Sequence, residues 1–163
     1  MPKETIPFSA FVEAAGTAHT DFINSLHEFM TENNCKTEIK EAANGHVVSY
    51  VHKPSKRTVA NYVFRKKGLM MRIYADNVPS YEEALANWPE SMKAAVKKAG
   101  PCKRFLNPTE CNSRCPLGFD FILDGERQQK CRYGGFMFFL DDETKPFLKE
   151  MTEREMRARG LTQ

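Results

Sequence analysis

Residues 44–74 read NGHVVSYVHKPSKRTVANYVFRKKGLMMRIY, and this stretch decides the fold class. Asn44-Gly45 is a turn signal. The run behind it, His46 to His52, is β-branched and aromatic, a composition that suits a pleated, half-buried strand. Pro54-Ser55 breaks the run, and two further strand candidates follow at 58–64 and 69–74, separated by Arg65-Lys66-Lys67-Gly68. Gly68 fits the turn position that needs a positive φ. Short strands joined by tight turns make an antiparallel meander.

Upstream, Phe22, Ile23, Leu26, Phe29 and Met30 fall on one face of a 3.6-residue period. Thr20 is placed to cap that helix, and Asn33-Asn34 to end it. Downstream, Ser80-Tyr81-Glu82-Glu83 is a capping-box pattern that predicts a helix through Ala84, Leu85 and Trp88. Pro89 suits the first residue of a second helical segment running to about Ala99, and Gly100-Pro101 stops it. Asp124-Gly125 is a two-residue hairpin signal. It predicts Leu123 opposite Glu126, Phe121 opposite Gln128 and Gly118 opposite Cys131. Residues 136–140 continue as an apolar strand. Thr144 or a neighbouring acid starts a last helix carrying Phe147, Leu148, Met151 and Met156. The expected order is α-β-β-β-α-α-β-β-α, an α+β fold with an antiparallel sheet flanked by helices.

A chain of 163 residues, 41% hydrophobic with twelve Phe and eight Met, is long enough for one domain with a real core. The expected division is an α+β core over about 20–100 and a Cys-bearing hairpin with a C-terminal helix over about 101–160. No apolar run approaches the ~20 residues of a membrane helix. The opening MPKETIPFSAF lacks the pattern of a secretory leader, so the expectation is a cytoplasmic protein with reduced thiols and no membrane partner.

Four of the five cysteines, Cys102, Cys111, Cys115 and Cys131, follow a C-x8-C-x3-C-x15-C spacing. Cys111 and Cys115 can chelate from one tight loop, and the hairpin returns Cys131 toward Cys115. Zinc suits four thiolates, since its filled d-shell imposes nothing beyond a tetrahedron. Lys103, Arg114, Lys130 and Arg132 adjoin the ligands and favour the thiolate forms. The competing reading is a set of ordinary buried thiols acting as small hydrophobes. A redox pair is less well matched, because no C-x-x-C stands beside a βαβ unit. Cys35 stands apart.

Net charge is +3, unevenly distributed: residues 1–50 carry −4 and residues 51–100 carry +6. Lys53, Lys56, Arg57, Arg65, Lys66, Lys67 and Arg72 lie between Lys53 and Tyr74 without one acid, interleaved with Tyr62, Phe64 and Tyr74. A basic sheet face with aromatics can hold single-stranded nucleic acid by phosphate contact and stacking. The plainer reading puts the aromatics in the core and the charges in solvated turns, and it accords with a pI of about 8.6. His46 and His52 share strand parity but lie about 20 Å apart along it, too far to chelate together. Asp141-Asp142-Glu143 could hold a hard cation, but acids just ahead of a helix usually complement its dipole. No H-E-x-x-H, P-loop, G-x-S-x-G or G-x-G-x-x-G occurs, so nothing points to an enzyme.

The opening helix, the segments 44–50 and 60–74, and the helical stretch 81–99 together resemble the small bacterial YdhG-type domain. The resemblance covers residues ~22–99 and consists of strands and turns without a signature residue. It implies an α+β fold with a curved antiparallel sheet. One member type of that family is described as a frataxin-like iron chaperone, and most members have no known activity. The cysteine hairpin beyond Pro101 departs from the family pattern and reads as a C-terminal extension.

Three functional expectations follow. The first is a non-enzymatic, bacterial-type protein with a structural zinc site at Cys102, Cys111, Cys115 and Cys131. The second is iron or zinc handling, or thiol-redox chemistry, by the same thiols. The third is a nucleic-acid or protein-binding module using the basic 53–72 segment.

Overall fold

The computed structural model describes residues 5–112 and 114–161. The first four residues of the leader reading, and Ser113 between Cys111 and Cys115, lie outside that description. The fold is α+β. Two helices, α1 (Phe8–Ala15) and α2 (Thr20–Glu32), lead into four strands, β1 (Cys35–Ala42), β2 (Gly45–His52), β3 (Arg57–Arg65) and β4 (Gly68–Ile73). Short helices α3 (Glu82–Leu85), α4 (Glu90–Lys98) and α5 (Lys103–Leu106) precede the hairpin β5 (Phe119–Leu123) and β6 (Glu126–Lys130). Strand β7 (Met137–Phe139) and helix α6 (Lys145–Leu161) complete the chain.

The meander β1-β2-β3-β4 is joined by β7 on the far side of β4, giving a five-stranded antiparallel sheet with β1 and β7 at its edges. Strand periodicity sorts its side chains into two faces. On one face the cross-strand row Ile39–Val48–Tyr62–Met71–Phe138 runs beside Thr37–Tyr50–Ala60–Ile73. The helices cover this side. Phe11 of α1 packs on Tyr62 and Phe64 at 5.1 and 5.8 Å, His27 of α2 meets Tyr50, and Trp88 stands edge-on to Phe136 and Phe138. An eight-residue helix is marginal alone, and α1 has no side-chain cap, so fully buried Phe11 is what holds it down. Phe119 and Phe121 bring the β5–β6 hairpin onto Phe136 of the same core.

Several local expectations are corrected. Strand β1 and helix α1 were not foreseen. Lys36-Thr-Glu-Ile-Lys40 alternates charge with short or apolar residues, and its polar look masks the period of two that an edge strand needs. The β1–β2 register pairs Ala42 with Gly45, so Ala43 and Asn44 form the turn. Thr20 is the first residue of α2 and bonds back to the Gly16 carbonyl at 3.5 Å, while His19 occupies the cap position. Ser80 turns its hydroxyl back to Asn77 O at 2.7 Å, so the capping box does not form and α3 is one turn long. Pro89 is the residue before α4 rather than its first.

The Asp124-Gly125 turn sets the register as expected, with Leu123 opposite Glu126, Phe121 opposite Gln128 and Phe119 opposite Lys130. Both turn residues have positive φ, as a type I′ hairpin requires. Strand β6 ends at Lys130, one residue before Cys131.

Candidate functional site

The cysteines flank the small hairpin. Pro101 bridges to Lys130, Cys102 N–H donates to Gln129 O at 3.1 Å, and Cys131 N–H donates to Gly100 O at 2.8 Å. The segment around Cys102 is thus laid antiparallel against the end of β6, with Cys102 and Cys131 two steps apart in register. Gly118 is pressed into the same corner. A Cβ there would stand 2.1 Å from Lys130 O and 3.1 Å from Cys102 Sγ, so no larger residue fits without movement. On the loop that follows α5, the Cys115 carbonyl accepts a hydrogen bond from the Arg104 guanidinium. Cys102 is buried, Cys115 and Cys131 are half-buried, Cys111 is exposed, and all are free thiols. Among the described residues, no three of His, Cys, Asp and Glu stand together as a ready ligand set. Cys35 lies elsewhere, under α6, with its thiol 3.9 Å from Met156 Sδ and its pKa pushed up by burial to about 11.

The basic segment is dispersed by the fold. Tyr62 and Phe64 belong to the helix-covered side, and Tyr74 is buried against Arg132, whose guanidinium lies 4.9 Å above its ring. They provide no stacking platform. The charges go to the opposite face of the five-stranded sheet, on which none of the helix contacts described above falls. Its rows are Lys36–Val51–Thr58, Glu38–Ser49–Asn61–Arg72–Met137 and Lys40–Val47–Val63–Met70–Phe139. At the β2–β3 end, Lys36, Glu38, Val51, Lys53, Lys56 and Thr58 line a shallow depression of about 430 Å³. The one acid in it, Glu38, is held by Lys36 at 3.2 Å. In mid-sheet Arg72 is fixed by the Tyr133 carbonyl at 2.7 Å and by Asn61 Oδ1 at 3.3 Å.

Arg65, Lys66 and Lys67 lie at the other end of β3. Leu140 N–H donates to Leu69 O there, so the end of β7 lies beside that turn. Lys36 and Lys40 were missed because they fall outside the acid-free run. Their spacing on an alternating strand was the signal available.

Arg57 takes a different part. It lies 3.7 Å from Asp76, which also binds Arg132 and, at 3.2 Å, Arg159. Arg159 in turn donates to Glu155 at 2.8 Å and to the Tyr74 carbonyl at 2.9 Å. Glu155 is fully buried and accepts from Asn77 N–H, Asn77 Nδ2 and Tyr81 OH at 3.0, 2.9 and 2.7 Å. Burial opposes the charge of Arg132. Hydrogen bonding and attraction from Asp76, with a smaller contribution from Cys115, more than offset it and leave its pKa above the ordinary arginine range. This network is saturated with partners and ties α6 to the loop after β4. Its chemistry is structural.

Comparison of the chain with protein-family models, with curated proteins and with solved structures finds no match. No helix among the described residues is long and apolar enough to cross a membrane.

Proposed function

We propose that this chain is a binding module rather than an enzyme, and that the sheet face opposite its helices takes single-stranded nucleic acid by the phosphates. The observation that carries this reading is the depression ringed by Lys36, Lys53 and Lys56, with Arg72 farther along the same face. Three ammonium groups stand around a floor of Val51 and Thr58, and with Lys36 engaged by Glu38, the one acid there, the remaining excess of positive charge favours a polyanion. Stacking contributes little, since Phe139 is the one large aromatic on these rows that is exposed. Binding should therefore be weakly sequence-selective and strongly salt-dependent.

Substitution of Lys36, Lys53 and Lys56 by Ala tests the assignment. It should lower affinity for an oligothymidylate more than Ala at Arg65, Lys66 and Lys67 does. Equal effects, or none, would move the site elsewhere.

A second reading, favoured by the bridge that lays Cys102 beside the end of β6, is a structural thiolate centre at Cys102, Cys111, Cys115 and Cys131. Zinc is the expected ion and iron the alternative if the site handles metal rather than stores structure. It belongs to a reducing, cytoplasmic setting in which thiols stay free. Closure of the Cys111–Cys115 loop onto Cys102 and Cys131 would complete it. Elemental analysis of protein purified without added metal or chelator tests it: about one zinc per chain, lost in Cys115→Ser, supports it, and metal-free protein removes it. The YdhG-type resemblance supplies no ligand residue to either reading.

A further inference from the structure

Strand β1 is an eight-residue sheet edge, long for an edge and, among the described residues, unpaired on its outer side. Such an edge presents a row of backbone donors and acceptors that can template another strand. Lys53 N–H donates to the Asn34 carbonyl at 2.8 Å, continuing the register in which Cys35 faces His52. Even-numbered residues of β1 therefore point their backbone groups to β2, and Thr37, Ile39 and Glu41 point theirs outward. The side chains along the strand alternate as well. Lys36, Glu38 and Lys40 lie on the open face, and Thr37 and Ile39 on the helix-covered one.

We infer that this edge pairs with the same edge of a second copy, antiparallel, about a two-fold axis through Ile39. An axis perpendicular to the sheet requires residues of like parity to face each other, because both copies show the same face. With the axis at Ile39, Glu38 faces the second copy's Lys40, Lys40 faces its Glu38, Ile39 meets Ile39, and Thr37 faces Glu41. The outward groups of Thr37, Ile39 and Glu41 then close roughly six backbone hydrogen bonds.

Neighbouring registers are disfavoured by charge. An axis at Glu38 sets Glu38 against itself and Lys36 against Lys40. An axis at Lys40 sets Lys40 against itself. An axis at Thr37 pairs Lys36 with Glu38 but overlaps less of the strand. The charges that blunt this edge against unlike strands are thus self-complementary in one long register. The product is a continuous sheet in which both open faces lie on the same side.

The test is sedimentation velocity from low micromolar to millimolar protein at low salt, on the wild type, Lys40→Glu, and the double swap Glu38→Lys with Lys40→Glu. A concentration-dependent dimer is expected. Lys40→Glu opposes carboxylates at two symmetric places and should weaken it about tenfold. The double swap restores unlike pairs and should return the dissociation constant to within about threefold of wild type. Circular dichroism confirms that each variant is folded. Amide exchange gives a second readout: Thr37, Ile39 and Glu41 should slow as concentration rises. A monomer throughout, a Lys40→Glu dimer as tight as wild type, or a double swap no tighter than the single variant would each overturn the inference.

Discussion

Glu155→Ala should be among the most damaging single changes in the molecule, although no ligand touches the residue. The carboxylate is fully buried and accepts four hydrogen bonds, from Asn77 N–H, Asn77 Nδ2, Tyr81 OH and Arg159 Nε. Removing it breaks a buried ion pair, a change that typically costs about 3–5 kcal/mol because the partner charge stays behind. Arg159 keeps Asp76 and the Tyr74 carbonyl, which places the pair contribution at the low end, about 3 kcal/mol. The stranded Tyr81 hydroxyl and Asn77 donors add about 1–3 kcal/mol between them. The sum, about 4–6 kcal/mol, is a large share of a total stability of about 5–15 kcal/mol.

For a domain of this size each kcal/mol moves the melting temperature by about 2–4 °C, so the loss should be about 8–24 °C. Differential scanning calorimetry on Glu155→Ala, beside the surface control Asp21→Ala, measures it. A decrease of less than about 4 °C, with the control unchanged, would show that the network does not bear on stability as its geometry indicates.

Three further outcomes follow from buried groups. Tyr62 OH is buried with no hydrogen-bond partner among the described residues, so Tyr62→Phe should hold stability level or raise it by about 1 kcal/mol in urea titration, whereas Tyr50→Phe, which strips the 2.9 Å contact to His27 Nδ1, should lower it. Burial lowers the pKa of His27, His19 and His52 below 6.5, so the unfolded chain binds more protons than the native one just beneath that value. Their contribution is full above pH 6.5 and declines as pH falls through the native values. Melting temperature should therefore drop from pH 7 to pH 5, with a shallower slope in His27→Gln. In metal-free native protein a thiol reagent should modify exposed Cys111 first and leave Cys35, with its pKa near 11, unmodified until denaturation. Prompt labelling of Cys35 in native buffer would contradict its burial.

What the sequence made legible was local. The Asp124-Gly125 turn specified its hairpin register because a two-residue loop with both φ values positive admits few alternatives. Strands β2, β3 and β4 were readable because β-branched and aromatic residues crowd one stretch. Strand β1 was not, because an edge strand carries charge where an interior one carries Val or Ile.

The candidate site was half legible. Lys53, Lys56 and Arg72 were visible as an acid-free run, but periodicity could not show that Tyr62 and Phe64 turn the other way. Nor could it show that Lys36, seventeen positions before Lys53, meets it across a hairpin. The Asp76–Arg132–Arg159–Glu155 network was invisible, since its members lie on separate elements and only Glu155 and Arg159 share a helical face.

Binding of single-stranded nucleic acid by phosphate contact on the open sheet face, as proposed, carries a salt-dependence signature. A fluorescence-anisotropy titration of a labelled oligothymidylate at a series of salt concentrations tests it most directly. With about four phosphate contacts, log affinity should fall with log salt at a slope of about −3. Ala at Lys36, Lys53 and Lys56 should flatten that slope to about −1. No binding at low salt, or a slope unchanged by those substitutions, would contradict the account.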